Sequence, residues 1–240
     1  VAGVNENSGN GIYGRGHNGL YGDGKDGNGV VGISANNDGV LGVGNIAAKA
    51  GVAGVNDHGG NGLYGRGGNG LYAMSNVAGG NAGVFDGNVL VRGDLKLTGG
   101  DVAEQFDVAA RAEGAPEVDP GTVVVVDGQD ALAPCVQAYD TCVAGVVSGA
   151  GDRVPALVLD RKEDDEGAWR RAIAVVGKVW CRADAASRPI RVGDLLTTSS
   201  TPGHAMAAVD RDAAFGSVLG KAMTPLASGT GLVLVLVGLG

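Results

Sequence analysis

Two hydrophobic patterns divide the chain. Up to about residue 90, apolar residues stand in ones and twos between glycines: Gly11-Ile12-Tyr13-Gly14, Gly19-Leu20-Tyr21-Gly22, Gly29-Val30-Val31-Gly32, Gly39-Val40-Leu41-Gly42, Gly51-Val52-Ala53-Gly54 and Gly62-Leu63-Tyr64-Gly65. Two altered copies come after them, Gly70-Leu71-Tyr72-Ala73 and Gly83-Val84-Phe85-Asp86. The units start 8 to 13 residues apart. That beat is too short for helical repeats and suits a very short extended segment followed by a Gly/Asn/Asp corner, with glycine supplying positive φ. Beyond residue 100 the pattern changes to runs of β-branched and apolar residues between turn signals. These predict strands at Thr122–Val126, Cys142–Val147, Ala156–Leu159, Ala172–Cys181, Ile190–Leu196, Ala214–Leu219 and Gly231–Val237, with a short helix at Val102–Ala110. Seven strands at this spacing predict a β-sandwich or β-barrel.

Composition sharpens the division. Residues 1–100 hold 30 of the 46 glycines and all 14 asparagines, with no proline or cysteine. The remainder holds all seven prolines and all three cysteines. Six basic residues face seven acidic ones in the first part, and twelve face nineteen in the second. The boundary is placed at 98/99, giving a repeat shaft over 1–98 and a compact β domain over 99–240. A longer period overlies the short one: residues 1–22 match 52–73 at 16 of 22 positions. In that register Val1 falls inside a repeat, so further shaft is expected upstream.

The energetics of the first part point to assembly. A unit of about ten residues offers about two apolar side chains, worth roughly 1.5–3 kcal/mol each when buried. Ordering ten residues of backbone costs on the order of 10–20 kcal/mol. Sharing the core among three chains wound about one axis puts one apolar residue per chain into each layer and closes exposed strand edges. The expected fold class is therefore all-β: a trimeric Gly-rich β-helix followed by a compact β domain.

The apolar-x-Gly unit at Ile12-Tyr13-Gly14, Leu20-Tyr21-Gly22 and Leu63-Tyr64-Gly65 resembles the octad repeats of contractile-tail spikes and the Gly-rich shafts of phage tail fibres, which form triple-stranded β-helices. Gly100-Asp101-Val102-Ala103-Glu104-Gln105-Phe106, Pro120-Gly121-Thr122-Val123-Val124, Val176-Gly177-Lys178-Val179 and Val192-Gly193-Asp194-Leu195-Leu196 are similar to blocks in the C-terminal, trimer-forming chaperone-like domains of tail appendages. The resemblance implies a homotrimeric structural fibre of a phage tail, injection machine or bacterial surface, held by an upstream anchor or baseplate and exposed outside the cell. A cell-surface glycan is the implied distal partner. Two other readings stay open: a C-terminal domain that cleaves itself from the shaft, and a subunit of an extended extracellular filament.

Candidate chemistry is sparse. The net charge of −8 speaks against nucleic-acid binding, and the longest apolar run, Leu232–Val237, is far shorter than a bilayer span. Asp194, Ser199, Ser200 and His204 are close in sequence, but the segment reads as a polar turn, so no catalytic residue is assigned. Gly14–Gly19 fits a phosphate-loop spacing only by virtue of the glycine content. His17, His58 and His204 are isolated, and Gly59–Tyr64 carries Tyr where a calcium-binding roll needs Asp; neither a metal nor a cofactor is expected. Tyr13, Tyr21, Tyr64 and Tyr72 recur at one position of the unit, as a row that either stacks on sugar rings or packs between neighbouring chains. Cys135 and Cys142 flank a short hairpin and could form a disulfide outside the cell or remain free thiols; Cys181 reads as core.

Overall fold

The computed structural model describes residues 12, 15, 20–46, 49–108, 118–128, 131–162 and 170–238. The chain divides into two units, Val1–Val89 and Leu90–Gly240. The compositional boundary at 98/99 falls inside the second unit. Gly100 N–H donates to Val154 O, and Lys178 N–H donates to Gly100 O, which ties the segment before the first strand to the body of the β domain.

The expected β-helical shaft is not shown by the described residues of the first unit in the single chain. No described residue before Asp101 belongs to a helix or strand. Strands need hydrogen-bonding neighbours, and one chain does not supply them here. Among the described residues from Leu20 to Thr98 there are two backbone–backbone hydrogen bonds, Lys49 N–H to Ile46 O and Gly80 N–H to Val77 O. The repeat nevertheless has a physical order. A Cβ added to Gly22 would overlap the carbonyl of Gly29, and the same holds for Gly32 on Gly39, Gly42 on Gly51, Gly54 on Gly62 and Gly65 on Gly70. Each pair closes a loop, and a Gly-apolar-x-Gly rung joins one loop to the next. The first apolar residue of a rung leans on the last glycine of the previous rung: Val30 on Gly22, Val40 on Gly32, Val52 on Gly42 and Leu63 on Gly54. Glycine is required here because backbone meets backbone. The expected reason, positive φ at the corners, holds only for Gly59, Gly79 and Gly87 among the described residues of this unit.

The second unit is all-β across its described residues. Its strands are β1 (Asp101–Asp107), β2 (Val123–Val126), β3 (Leu132–Pro134), β4 (Val143–Val147), β5 (Leu157–Leu159), β6 (Arg170–Asp184), β7 (Leu195–Thr198), β8 (Ala205–Ala207), β9 (Val218–Ala222) and β10 (Thr230–Val237). Over residues 102–107 the expected helix is replaced by β1, which lies between β5 and β6; Ala109 and Ala110 of that expectation lie outside the described residues. From Asp101 to Glu104 buried and half-exposed residues alternate, before Gln105 and Phe106, which are both half-exposed. That alternation is the strand period.

The 15-residue β6 organises the sheet. Its first half pairs with β1 on one edge and β4 on the other. Its second half pairs with β10, and Ala183 meets Ala205 of β8. Because β10 pairs with β9, β9 with β7 and β7 with β8, this half closes a small five-stranded barrel. Gly177, with φ of 116°, is where β6 changes partner: it faces Asp101 of β1 and Val237 of β10. The core is aliphatic and small-residue, with Val123, Val146, Val179, Leu196, Val233 and Val235 almost fully enclosed. In β10 the odd-numbered valines face this core while Leu232 stays partly exposed. Pro134, which lacks an N–H, sits in β3 at the end of the sheet order, as an edge position permits.

Candidate functional site

Two surfaces stand out, one in each unit. In the first unit every described large apolar side chain is exposed: Val40 is 71% accessible, Leu63 73% and Leu71 76%. Tyr21, Tyr64 and Tyr72 are exposed in the same way, and Tyr13 lies outside the described residues. The loops between rungs use their polar residues locally. Asn37 N–H donates to Ser34 Oγ, and His58 N–H donates to Asn56 Oδ1. The described residues of the unit thus present a comb of exposed apolar rungs with two backbone–backbone hydrogen bonds among them and a few backbone–side-chain bonds in the loops.

The second surface is an open cleft of about 580 Å³ in the β domain, lined by Asp119, Pro120, Gly149–Gly151, Arg182, His204 and Thr230–Leu232. It forms because β6 alternates. Val179, Cys181 and Ala183 point into the core, which leaves Trp180, Arg182 and Asp184 on the outer face. Arg182 Nη2 meets Asp119 Oδ2 at 3.2 Å, and the Arg182 N–H donates to Gly121 O. The loop at 149–152 forms one wall. Trp180 Nε1 donates to Asp152 Oδ1 at 2.7 Å, a bond that holds the Asp152 carboxyl below its ordinary pKa. Gly151, with φ of 63°, lies against the indole, where a Cβ would sit 2.6 Å from Trp180 Cδ1. On another side Thr201 Oγ1 donates to Asp184 Oδ2 at 2.6 Å, lowering the Asp184 pKa and fixing the turn that presents His204. His204 Nδ1 lies 2.8 Å from Pro202 O, a carbonyl that can only accept, so the ring engages the turn through Nδ1–H.

The sequence-adjacent Asp194, Ser199 and His204 are not assembled into a relay. Asp194 Oδ2 accepts from Arg191 N–H, Ser199 Oγ accepts from Thr201 N–H, and His204 Nδ1 engages Pro202. The polar turn is shorter than expected, because Thr197 and Thr198 are buried in β7 and Thr197 Oγ1 donates to Ser217 O. Cys135 and Cys142 are not joined. Cys135 is buried in the core, its Sγ 3.3 Å from His204 O, and Cys142 is exposed before β4. Cys181 is buried, and enclosure pushes the thiols of both Cys135 and Cys181 above the ordinary pKa, Cys181 the more strongly.

Sequence reasoning missed the cleft because its lining comes from five separate segments. One local signal was present: Trp180, Arg182 and Asp184 at every second position of an otherwise apolar run.

Asp101 is a buried carboxyl at the start of β1. Ser148 Oγ donates to its Oδ1 at 3.0 Å, and its Oδ2 has no hydrogen-bond partner. Burial pushes its pKa above the ordinary value, against a smaller lowering by Ser148. A raised folded pKa means that the native state binds the proton more tightly than the unfolded chain does. The penalty is absent below the unfolded value of about 3.9 and complete above the folded one. Denaturant unfolding should therefore show the domain losing stability as pH rises through that window, and Asp101→Asn should remove this component. An unchanged pH profile in the variant would contradict the assignment.

No protein-family model and no curated protein matches the chain. Among solved structures, the head fibre gp8.5 N base of bacteriophage phi29 is similar at 16% identity with a TM-score of 0.26, over 58% of this chain and 91% of that one.

Proposed function

We propose that the chain is a structural fibre or appendage subunit, working as a homotrimer in which the apolar comb of the first unit is completed by two sister chains. One observation carries this reading. From Leu20 to Thr98 the described residues make two backbone–backbone hydrogen bonds while every large apolar side chain there is exposed. Folded domains carry about one internal hydrogen bond per residue. Both deficits have the same remedy: adjacent chains that pair the free peptide groups and cover the rungs. Three copies satisfy this with a closed edge, whereas two leave edges open. The sequence resemblance to tail-fibre shafts and chaperone-like terminal domains supports the same assignment. In this role the shared layers of the comb hold the three chains together, and the β domain sets their register. An upstream anchor or baseplate, an extracellular or virion-tail location and a glycan at the distal end complete the proposal. Among the described residues no helix is long and apolar enough to cross a membrane.

Light scattering on the purified chain tests this directly. The expected molar mass is about three times 23.7 kDa. A single-chain mass at micromolar concentration overturns the reading.

A further inference from the structure

We propose that the cleft over the outer face of β6 and β10 is a binding site for a neutral hexopyranose. This ligand class belongs to the attachment role proposed above, and its biological meaning rests on that reading.

The chemistry of the lining sets the class. Asp119 and Arg182 are paired at 3.2 Å, so their charges cancel within the cleft. An anionic ligand would lie beside the Asp119 carboxylate and a cationic one beside the Arg182 guanidinium, so each meets a like charge in the lining. A neutral polyol meets no such opposition. It needs donors and acceptors a few ångströms apart, and the cleft supplies both kinds. Arg182 offers guanidinium N–H donors. The Asp119 carboxylate accepts, and the His204 ring adds a polar edge to the lining. The Thr230 hydroxyl can do either. Vicinal sugar hydroxyls, each able to donate and accept, fit such a mixed array.

The apolar remainder fits the other half of a pyranose. Pro120, Ala150 and Leu232 also line the cleft, and Leu232 is 44% exposed on a strand whose neighbouring valines are buried. These carbon surfaces can receive the C–H face of a sugar ring. A volume of about 580 Å³ falls in the range of small-ligand pockets, roughly 300–1,000 Å³. The walls are braced before any ligand arrives. Trp180 holds the 149–152 loop through Asp152, Asp184 holds the 201–204 turn through Thr201, and Arg182 N–H is fixed on Gly121 O. A pre-formed site loses less on binding to ordering of its own groups.

The experiment is saturation-transfer NMR on the full chain with four probes at millimolar concentration. Three are neutral (methyl β-D-galactopyranoside, methyl α-D-glucopyranoside and N-acetylglucosamine) and one is anionic (N-acetylneuraminic acid). At least one neutral sugar should take up saturation. That signal should fall at least fivefold in Arg182→Ala and in Asp119→Asn, each checked for an unchanged thermal transition. If Arg182→Ala fails to fold, the near-isosteric Asp119→Asn decides. Absence of transfer from all four probes overturns the proposal, as does transfer only from the anionic sugar or transfer that survives the deciding variant. Light scattering separates the two readings. A trimer without sugar binding removes the cleft alone, and a monomer that binds sugar removes the fibre alone.

Discussion

Val40→Asp combined with Val52→Asp should convert the assembled protein to single chains of 23.7 kDa by light scattering. Both valines are first residues of their rungs, leaning on Gly32 and Gly42 and otherwise open. Within one chain, an Asp at either position faces water and costs little. In the proposed trimer each substitution places three carboxylates in one shared layer, so desolvation and mutual repulsion act together. Each such layer should cost several kcal/mol. The conservative pair Val40→Ile and Val52→Ile should keep the assembled mass. The thermal transition of the β domain should be the same in all three proteins, because the altered residues lie in the other unit. An Asp variant that keeps the parental mass would mean that the comb is not where the chains meet.

Gly177→Ala should cost the β domain about 2–6 kcal/mol, a large part of a typical total stability of about 5–15 kcal/mol. Two effects add. The φ of 116° is one that a residue with a Cβ occupies only under strain, at about 1–3 kcal/mol. The added Cβ would lie 2.7 Å from Gly100 O and 2.8 Å from Asp101 Cα, both backbone atoms that cannot swing aside. Overpacking of that kind costs about 1–3 kcal/mol. Gly193→Ala separates the terms. Gly193 has φ of 92° but open space around it, so its variant should show only strain, about 1–2 kcal/mol. Urea unfolding followed by tryptophan fluorescence measures both. Equal losses would show that crowding at the point where β6 changes partner is not what demands glycine.

Several parts of this architecture were legible because a short-range pattern decides them. The valine runs of β2, β4 and β10 and the long apolar stretch of β6 read as strands, and they are strands. Elements decided by distant partners read poorly. Val102 and Phe106 are four apart, a helical spacing, yet the segment is held extended by ladders to β5 and β6. The β8 run Ala205-Met206-Ala207 has no β-branched residue and owes its strand to Ala183 and to β7. The Ile190–Leu196 expectation merged two features: Ile190 bridges to Leu226, and the strand itself starts at Leu195. Similarly, the run at Ala214–Leu219 begins as a turn, and β9 starts at Val218. The repeat was visible at once, but its reason was not. Sequence distinguishes neither a glycine at positive φ from one pressed against another backbone, nor a charged strand position facing water from one lining a cleft.

The paired glycines of the first unit carry a consequence for how such a chain can be elaborated. The intervals they enclose, from Gly22–Gly29 to Gly65–Gly70, vary from four to eight residues, while the rung between successive closures stays two residues long. Spacing along the comb is thus insulated from the length of what bulges out beside it. Foreign peptides or small tags grafted between Asp26 and Asn28, or at Asn36 and Asn37, would protrude without shifting the rungs before or after them. A polymer built this way can diversify its periphery by insertion and deletion while its axis keeps the same register.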